Sequence, residues 1–171
     1  MDNIVFKPIG VIRTPFKEPK GVPIQPSAGK GIKGSIEIFD EYKAGLKGLD
    51  GFSHIVLLFH LHLHDDFSLE VVPFLDNRKT GVFSTRAPRR PNAIGLSVTR
   101  LIDIRENILT IEDIDIVDGT PLLDIKPYIP SDRDEEMKLG WVKGKIQGFD
   151  TMKADGRFLN EKSDRSTEEK T

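Results

Sequence analysis

The chain has 171 residues, 30% of them charged and 37% hydrophobic, with a formal net charge of −2 and no cysteine. That length and balance suit one water-soluble domain with a real core, and the missing cysteine excludes disulfides, thiolate nucleophiles and cysteine-based zinc sites. No apolar run approaches the ~20 residues of a membrane span, and the start Met1-Asp-Asn-Ile-Val-Phe-Lys7 lacks the basic and apolar stretches of a secretion signal, so a cytoplasmic protein without membrane contact is expected.

In chain order, most segments read as short strands. Ile4 to Ile12 is apolar, and Pro8 inside it predicts an edge or bulged strand. Thr14 to Gly34 carries four prolines and four glycines and predicts a long ordered loop of the functional kind. Ser35 to Phe39 alternates. Asp40 is placed to cap a short helix through Tyr42, Leu46 and Leu49, ending near Gly51. Phe52 to His64 is the longest strand candidate. Ile94 to Ile104 and Ile108 to Val117 predict the arms of a hairpin, followed by a tight turn at Asp118-Gly-Thr-Pro121. Leu122 to Ile129 returns as a strand, Ser131 to Leu139 predicts a helical turn, and Trp141 to Ile146 a last strand.

About seven strands with one or two short helices predict a mainly β fold, a small antiparallel single-sheet barrel. The βαβ alternation of a Rossmann fold is missing. One barrel domain is expected over residues 1–150, with a polar, disordered tail over 151–171.

The segment Gly81-Val-Phe-Ser-Thr-Arg-Ala-Pro-Arg-Arg-Pro-Asn-Ala-Ile-Gly-Leu-Ser97 carries the most chemistry. Pro88 and Pro91 stiffen the backbone, and Asn92 and Gly95 permit turns. Such a loop holds Arg86, Arg89 and Arg90 in place before an anionic or nucleotide-like ligand arrives. Charge is also unevenly spread. Between Asp76 and Asp103 lie six basic residues (Arg78, Lys79, Arg86, Arg89, Arg90, Arg100) and no acidic one, whereas Asp103 to Glu136 holds eleven acidic residues. A local basic stretch in a near-neutral chain suffices for phosphate contacts, and a solvated strand edge is the plainer reading.

Other motifs point to less. Gly29-Lys-Gly-Ile-Lys-Gly34 matches the dinucleotide pattern, but the strand-like Ser35 to Phe39 follows it where a helix is needed. His54, His60, His62 and His64 share a face in an unbroken strand. His-x-His spacing there admits zinc, with a third ligand such as Asp115 or Asp118, although a polar face without metal is the expectation. Asp113, Asp115 and Asp118 crowd one end of the hairpin and suit ribose hydroxyls, an ammonium group, a metal or acid-base work. Lys126 and Tyr128 alternate on the return strand as candidate proton donors.

Four stretches together carry a resemblance: Ile9-Gly-Val-Ile-Arg-Thr-Pro15, Gly51-Phe-Ser-His54, the Arg-Pro-Asn loop, and Asp118-Gly-Thr-Pro-Leu-Leu-Asp-Ile-Lys-Pro-Tyr-Ile-Pro130. In this order they resemble the TsaA-like (YaeB-like) family over about residues 4 to 146. The resemblance implies a β-barrel methyltransferase that uses S-adenosyl-L-methionine, without metal, on the exocyclic N6 of threonylcarbamoyladenosine beside the tRNA anticodon. It also implies a homodimer with the site near the subunit interface.

By matching position, Pro26, Ser27, Ala28, Leu63, His64, Arg86, Leu96, Glu112, Asp113, Ile114 and Asp115 would surround the cofactor. Arg86 would hold its carboxylate or a substrate phosphate, and Asp115 its ribose or amine. Asp118, Lys126 or Tyr128 would assist proton loss. Arg78, Lys79, Arg89, Arg90 and Asn92 would face the anticodon loop. Ala87 and Ala93 depart from the expected Ser and Pro. Two rival readings are a zinc-dependent hydrolase on His60, His62 and His64, and a non-catalytic nucleotide- or RNA-binding barrel.

Overall fold

Apolar residues at alternate positions give most of six short segments one dry face, and in the computed structural model those faces meet inside a closed antiparallel barrel. The structure describes residues 3–129, 140–142 and 144–158. Strands β1 (Gly10–Arg13), β2 (Lys33–Ile38), β3 (His54–His60), β6 (Ile94–Arg105), β7 (Ile108–Glu112) and β8 (Thr120–Pro127) form the barrel in the order β1-β2-β7-β6-β3-β8. The ring closes where β8 pairs with β1, Thr120 opposite Ile12 and Leu122 opposite Gly10. Two further strands, β4 (Glu70–Val71) and β5 (Thr80–Gly81), form a ribbon outside the barrel.

The interior is filled by Ile12, Ile36, Ile38, Ile55, Leu57, Phe59, Leu109, Ile111 and Leu122, with Ile114 and Ile116 joining from the segment after β7. β6 contributes differently. Its inward positions are Gly95, Ser97 and Thr99, all buried, so one side of the barrel is lined by small and polar groups. Phe59 lies directly opposite Gly95 across the β3–β6 pair, and a Cβ on Gly95 would strike its ring. The missing side chain is therefore the space that Phe59 fills.

Several expectations change in detail. Eight strands are present among the described residues, six of them in the barrel. The helical segments are short 3-10 turns: Pro26–Gly29, Asp40–Leu46, Leu49–Gly51, Val82–Ser84, Gly140–Val142 and Ile146–Asp150. Asp40 is not a cap, since that place is held by Phe39. The first strand begins only at Gly10, and Ile4, Val5 and Phe6 are exposed.

β3 ends at His60 because the chain folds back on itself, His62 N–H donating to the His60 carbonyl and His64 N–H to Leu61. The four histidines therefore do not share one strand face. Trp141 lies in a 3-10 turn rather than a strand. The turn expected over 131–139 falls outside the described residues. Residues 151–158, expected to begin the tail, pack on the body. Lys153 bridges to Pro23, Ala154 exchanges backbone hydrogen bonds with Gly21 and Val22, and Phe158 is buried beside Val71, Val82 and Ala87.

Gly29 tests how tightly the long proline-rich loop is seated. A Cβ there would run into the Ile114 carbonyl, a backbone atom with no room to yield. Gly29→Ala is expected to lower the unfolding free energy by about 1–3 kcal/mol, read as a reduced midpoint in urea. An unchanged midpoint would show that the two backbones separate without cost.

Candidate functional site

Two turns aim the acidic residues after β7. Asp113 has φ 66°, a left-handed backbone that aspartate tolerates better than most residues. Its N–H donates to the Ile32 carbonyl at 3.0 Å, and its carboxylate accepts the Gly31 N–H at 2.8 Å. β7 stops there, and the extended chain that follows sends Ile114 and Ile116 into the core. Asp115, between them, faces the other way. The turn before β8 is then fixed by Asp118, whose carboxylate accepts the Thr14 N–H at 2.9 Å and pairs with Lys17 at 2.8 Å. The Lys17 ammonium and the Thr14 N–H hold the Asp118 carboxyl below its ordinary range.

Asp115 opens onto a cleft of about 780 Å³ at one end of the barrel. Phe59, Gly95, Ile116 and Thr120 form its barrel-end wall, and His62, Leu63 and His64 border it after β3. The arginine loop supplies Phe83 to Pro88 together with Arg90, and Pro19 to Gln25 approach from the proline-rich loop. Trp141, Val142, Phe149 and Phe158 complete the enclosure. The volume is that of a typical small-molecule site.

Its polar groups converge. The Ser97 hydroxyl donates to Asp115 Oδ1 at 2.6 Å. Burial pushes the Asp115 carboxyl up to about 6, against the opposing pull of Ser97 and of the Arg86 guanidinium. His64 is lowered, chiefly by burial and then by the charge of Arg89, and is therefore neutral at pH 7. Its Nδ1 is buried with no hydrogen-bond partner among the described residues, an unmet demand that a ligand atom can satisfy. Burial also lowers His62.

The arginine loop divides its labour. Arg90 points inward and donates to the carbonyls of Val82, Thr85 and Ala87 at 3.3, 2.9 and 3.2 Å. Arg89 grips Asp66 through both forks of its guanidinium and so ties the loop to the segment after His64. Both brace the loop. Arg86 is exposed and lines the cleft. Arg78 is 80% exposed and only loosely paired with Asp76 at 3.6 Å. Lys79 and Asn92 are also exposed.

Of the residues expected around a cofactor, Leu63, His64, Arg86, Leu96 and Asp115 thus line one cleft. Pro26, Ser27 and Asp113 line a second hollow of about 490 Å³, with Lys30, His54, Val98 and Asp150. Ala28 borders neither and Glu112 pairs with Arg100 at 2.6 Å. Ile114 is wholly buried in the core. Asp118, Lys126 and Tyr128 do not line the cleft. Lys126 pairs with Asp124 at 2.7 Å, and Tyr128 lies edge-on to His54.

Among the described residues no group of three or more His, Asp or Glu side chains is placed to hold a metal ion. His60 ends β3, whereas His62 and His64 border the cleft beyond it. Sequence reasoning missed Ser97, whose signal was the inward alternation Gly95, Ser97, Thr99. It also missed the aromatic wall from Trp141 to Phe158, mistaken for a strand and a tail.

Residues 11–133 match the family described as tRNA-methyltransferase O N-terminal domain. A probable S-adenosyl-L-methionine-binding protein of Pyrococcus abyssi is 51% identical over 158 residues, covering 92% of this chain and 86% of that one. The tRNA (adenine(37)-N6)-methyltransferase of Mus musculus is 40% identical over 80% of this chain, which spans 33% of the mouse protein. The crystal structure of TrmO from Pseudomonas aeruginosa superposes with a TM-score of 0.68 at 36% identity, covering 82% of this chain and 63% of that one.

The raised Asp115 carboxyl has a measurable consequence. The unfolded chain ionises near the ordinary 3.8 and the folded chain near 6, so the folded state holds the extra proton between them and loses stability as pH rises through that window. Asp115→Asn is expected to stabilise the protein at pH 7.5 by up to about 3 kcal/mol, with the difference vanishing below about pH 4. Urea unfolding at the two pH values reads it, and equal stability at both would contradict a buried carboxylate.

Proposed function

Because the chain belongs to the tRNA-methyltransferase O N-terminal domain family, we propose that it binds S-adenosyl-L-methionine in the barrel-end cleft and methylates the exocyclic N6 of an adenine in tRNA, in its modified form the threonylcarbamoyladenosine beside the anticodon. One observation supports this reading above the others: the convergence of Arg86, His64 and Asp115 on a single cleft of nucleoside size.

The residues suit such a ligand. The orphaned His64 Nδ1 and the half-buried Asp115 carboxyl, supported by Ser97, call for polar partners, and ribose hydroxyls or an ammonium group supply them. Arg86 suits a carboxylate or phosphate, which its planar fork can grip. When bound, the cofactor supplies an electrophilic methyl group on a sulfonium centre.

The chain's own part is to orient and to exclude water. Holding two partners in line can supply roughly 7–11 kcal/mol of a barrier. Ser97 fixes the Asp115 carboxyl, and Arg90 and Arg89 fix the loop that presents Arg86. The target nitrogen must also lose a proton. Within the cleft, His64 is kept neutral and Asp115 is ionised above pH 6, so both are acceptors. Asp118 serves the fold through Thr14 and Lys17. Lys126, exposed on β8, and Tyr128, exposed just beyond its end, take part in this reading only where a second copy brings them to the cleft, as in the expected homodimer. The exposed cations Arg78 and Lys79 suit phosphate contacts with the anticodon loop.

A metal-dependent hydrolase would need a set of three ligands that the described histidines and carboxylates do not form. A barrel that binds without reacting differs from this proposal in one measurement. Incubation of unmodified and threonylcarbamoylated tRNA with the protein and methyl-labelled S-adenosyl-L-methionine, followed by mass spectrometry of nucleosides, is expected to give one added methyl on the modified adenosine. Saturable cofactor binding without any methylated nucleoside would favour the binding module.

Affinity for the cofactor is expected to fall at least tenfold in Arg86→Ala, by calorimetry. In the native protein it should also weaken as pH drops below about 6, because the cationic ligand prefers ionised Asp115. Asp115→Asn should abolish that slope. A slope retained in this variant would assign the titration to another group.

A further inference from the structure

Residues 140–158 lie beyond the stretch that defines the family match, which ends at 133, yet they wall the cleft. They are held by specific contacts. Trp141 Nε1 donates to the Ser84 carbonyl at 2.8 Å, placing the indole beside the loop that carries Phe83. Lys145 Nζ pairs with Asp76 at 2.6 Å and stands 5.7 Å from the centre of the Trp141 ring. Phe149 lies 6.5 Å from the indole, tilted by 49°. Arg157 donates to the Pro73 carbonyl at 2.7 Å and sits over Phe74.

The cleft is thereby two-ended. One end is polar and sheltered, with Asp115, Ser97 and the unpartnered His64 nitrogen. The mouth is aromatic, with Phe83 75% exposed and Trp141 half-buried. An exposed aromatic ring on a 3-10 turn serves no core. A fixed ring beside a polar pole is what a splayed single-stranded base requires, because every base offers a flat face for stacking.

We infer that Trp141, with Phe83, is the stacking platform for the incoming RNA base, and that the segment 140–158 sets substrate positioning rather than cofactor binding. This rests on the proposed tRNA methylation. A small cofactor can settle against the sheltered polar end, whereas a base on a large RNA must arrive through the mouth. The ion pair of Lys145 with Asp76 keeps the platform in place, which makes Trp141 a positioning residue and Asp76 its anchor.

Trp141 is the chain's only tryptophan, so its fluorescence reports the platform directly. The full-length protein is titrated with S-adenosylhomocysteine alone. At saturating S-adenosylhomocysteine it is then titrated with an anticodon stem-loop RNA bearing adenine 3′ of the anticodon, and with the same RNA abasic at that place. Only the adenine-bearing RNA is expected to quench the emission. Trp141→Ala should raise the KM for tRNA at least tenfold and leave S-adenosylhomocysteine affinity within twofold, whereas Trp141→Phe, which keeps a ring, should stay within about threefold of native KM. Asp76→Asn should raise the KM without removing the ring.

Quenching by S-adenosylhomocysteine alone, equal quenching by abasic RNA, or an unchanged KM in Trp141→Ala each overturns the platform. Methylation without quenching removes the platform and spares the proposed activity. Quenching without methylation removes the activity and keeps the platform. The loss of both rejects both.

Discussion

The close approach of two backbones, Gly29 against Ile114, is the constraint on which the site depends. Only a residue without a side chain lets the proline-rich loop lie against the segment leaving β7. Beside this contact, the Gly31 N–H bonds the Asp113 carboxylate and supports its left-handed turn. That turn ends β7 and sets the alternation Ile114 in, Asp115 out, Ile116 in. A one-residue slip would bury the carboxylate among isoleucines and expose apolar side chains. The placement of Asp115 is thus a property of a loop nearly ninety positions away in sequence.

Electrostatics follow from that placement. Asp115 is raised while Asp118, three residues on, is lowered. The difference is one of surroundings. Asp118 has a lysine and a backbone N–H, whereas Asp115 has a single hydroxyl, a more distant guanidinium and a largely dry environment. The same contrast separates the arginines. Arg90 turns one guanidinium nitrogen, Nη1, on three carbonyls of its own loop, and Arg86, four residues earlier, is left exposed at the cleft.

The barrel was legible because its signal is local. Period-two alternation in 35–39, 94–104 and 108–112 marks strands irrespective of their partners, and the lack of helix-length segments points to a barrel, of about seven strands by expectation and of six in the structure. The meeting of Arg86 with Asp115 was legible as well, through the motifs on which the family resemblance rests. Other features depend on tertiary context. His60 to His64 reads as continued strand, yet the chain turns as soon as β6, its partner, begins at Ile94. Arg89 and Arg90 look identical to Arg86 in sequence, and only the carbonyls and the carboxylate around them reveal them as braces. The polar composition after 150 hides one buried anchor, Phe158, whose neighbours lie some seventy to ninety positions earlier.

The seam between β1 and β8 joins residues more than a hundred positions apart, and contacts of that span carry the largest entropic cost of closure. Until the last strand is available, β1 has an unsatisfied edge and the cleft lacks its floor at Thr120. During synthesis a ribosome-bound chain therefore stays an open, curled ribbon until β8 has cleared the exit tunnel. The aromatic wall, which follows β8 in the chain, can seat only after that, so the hollow is completed later than the barrel.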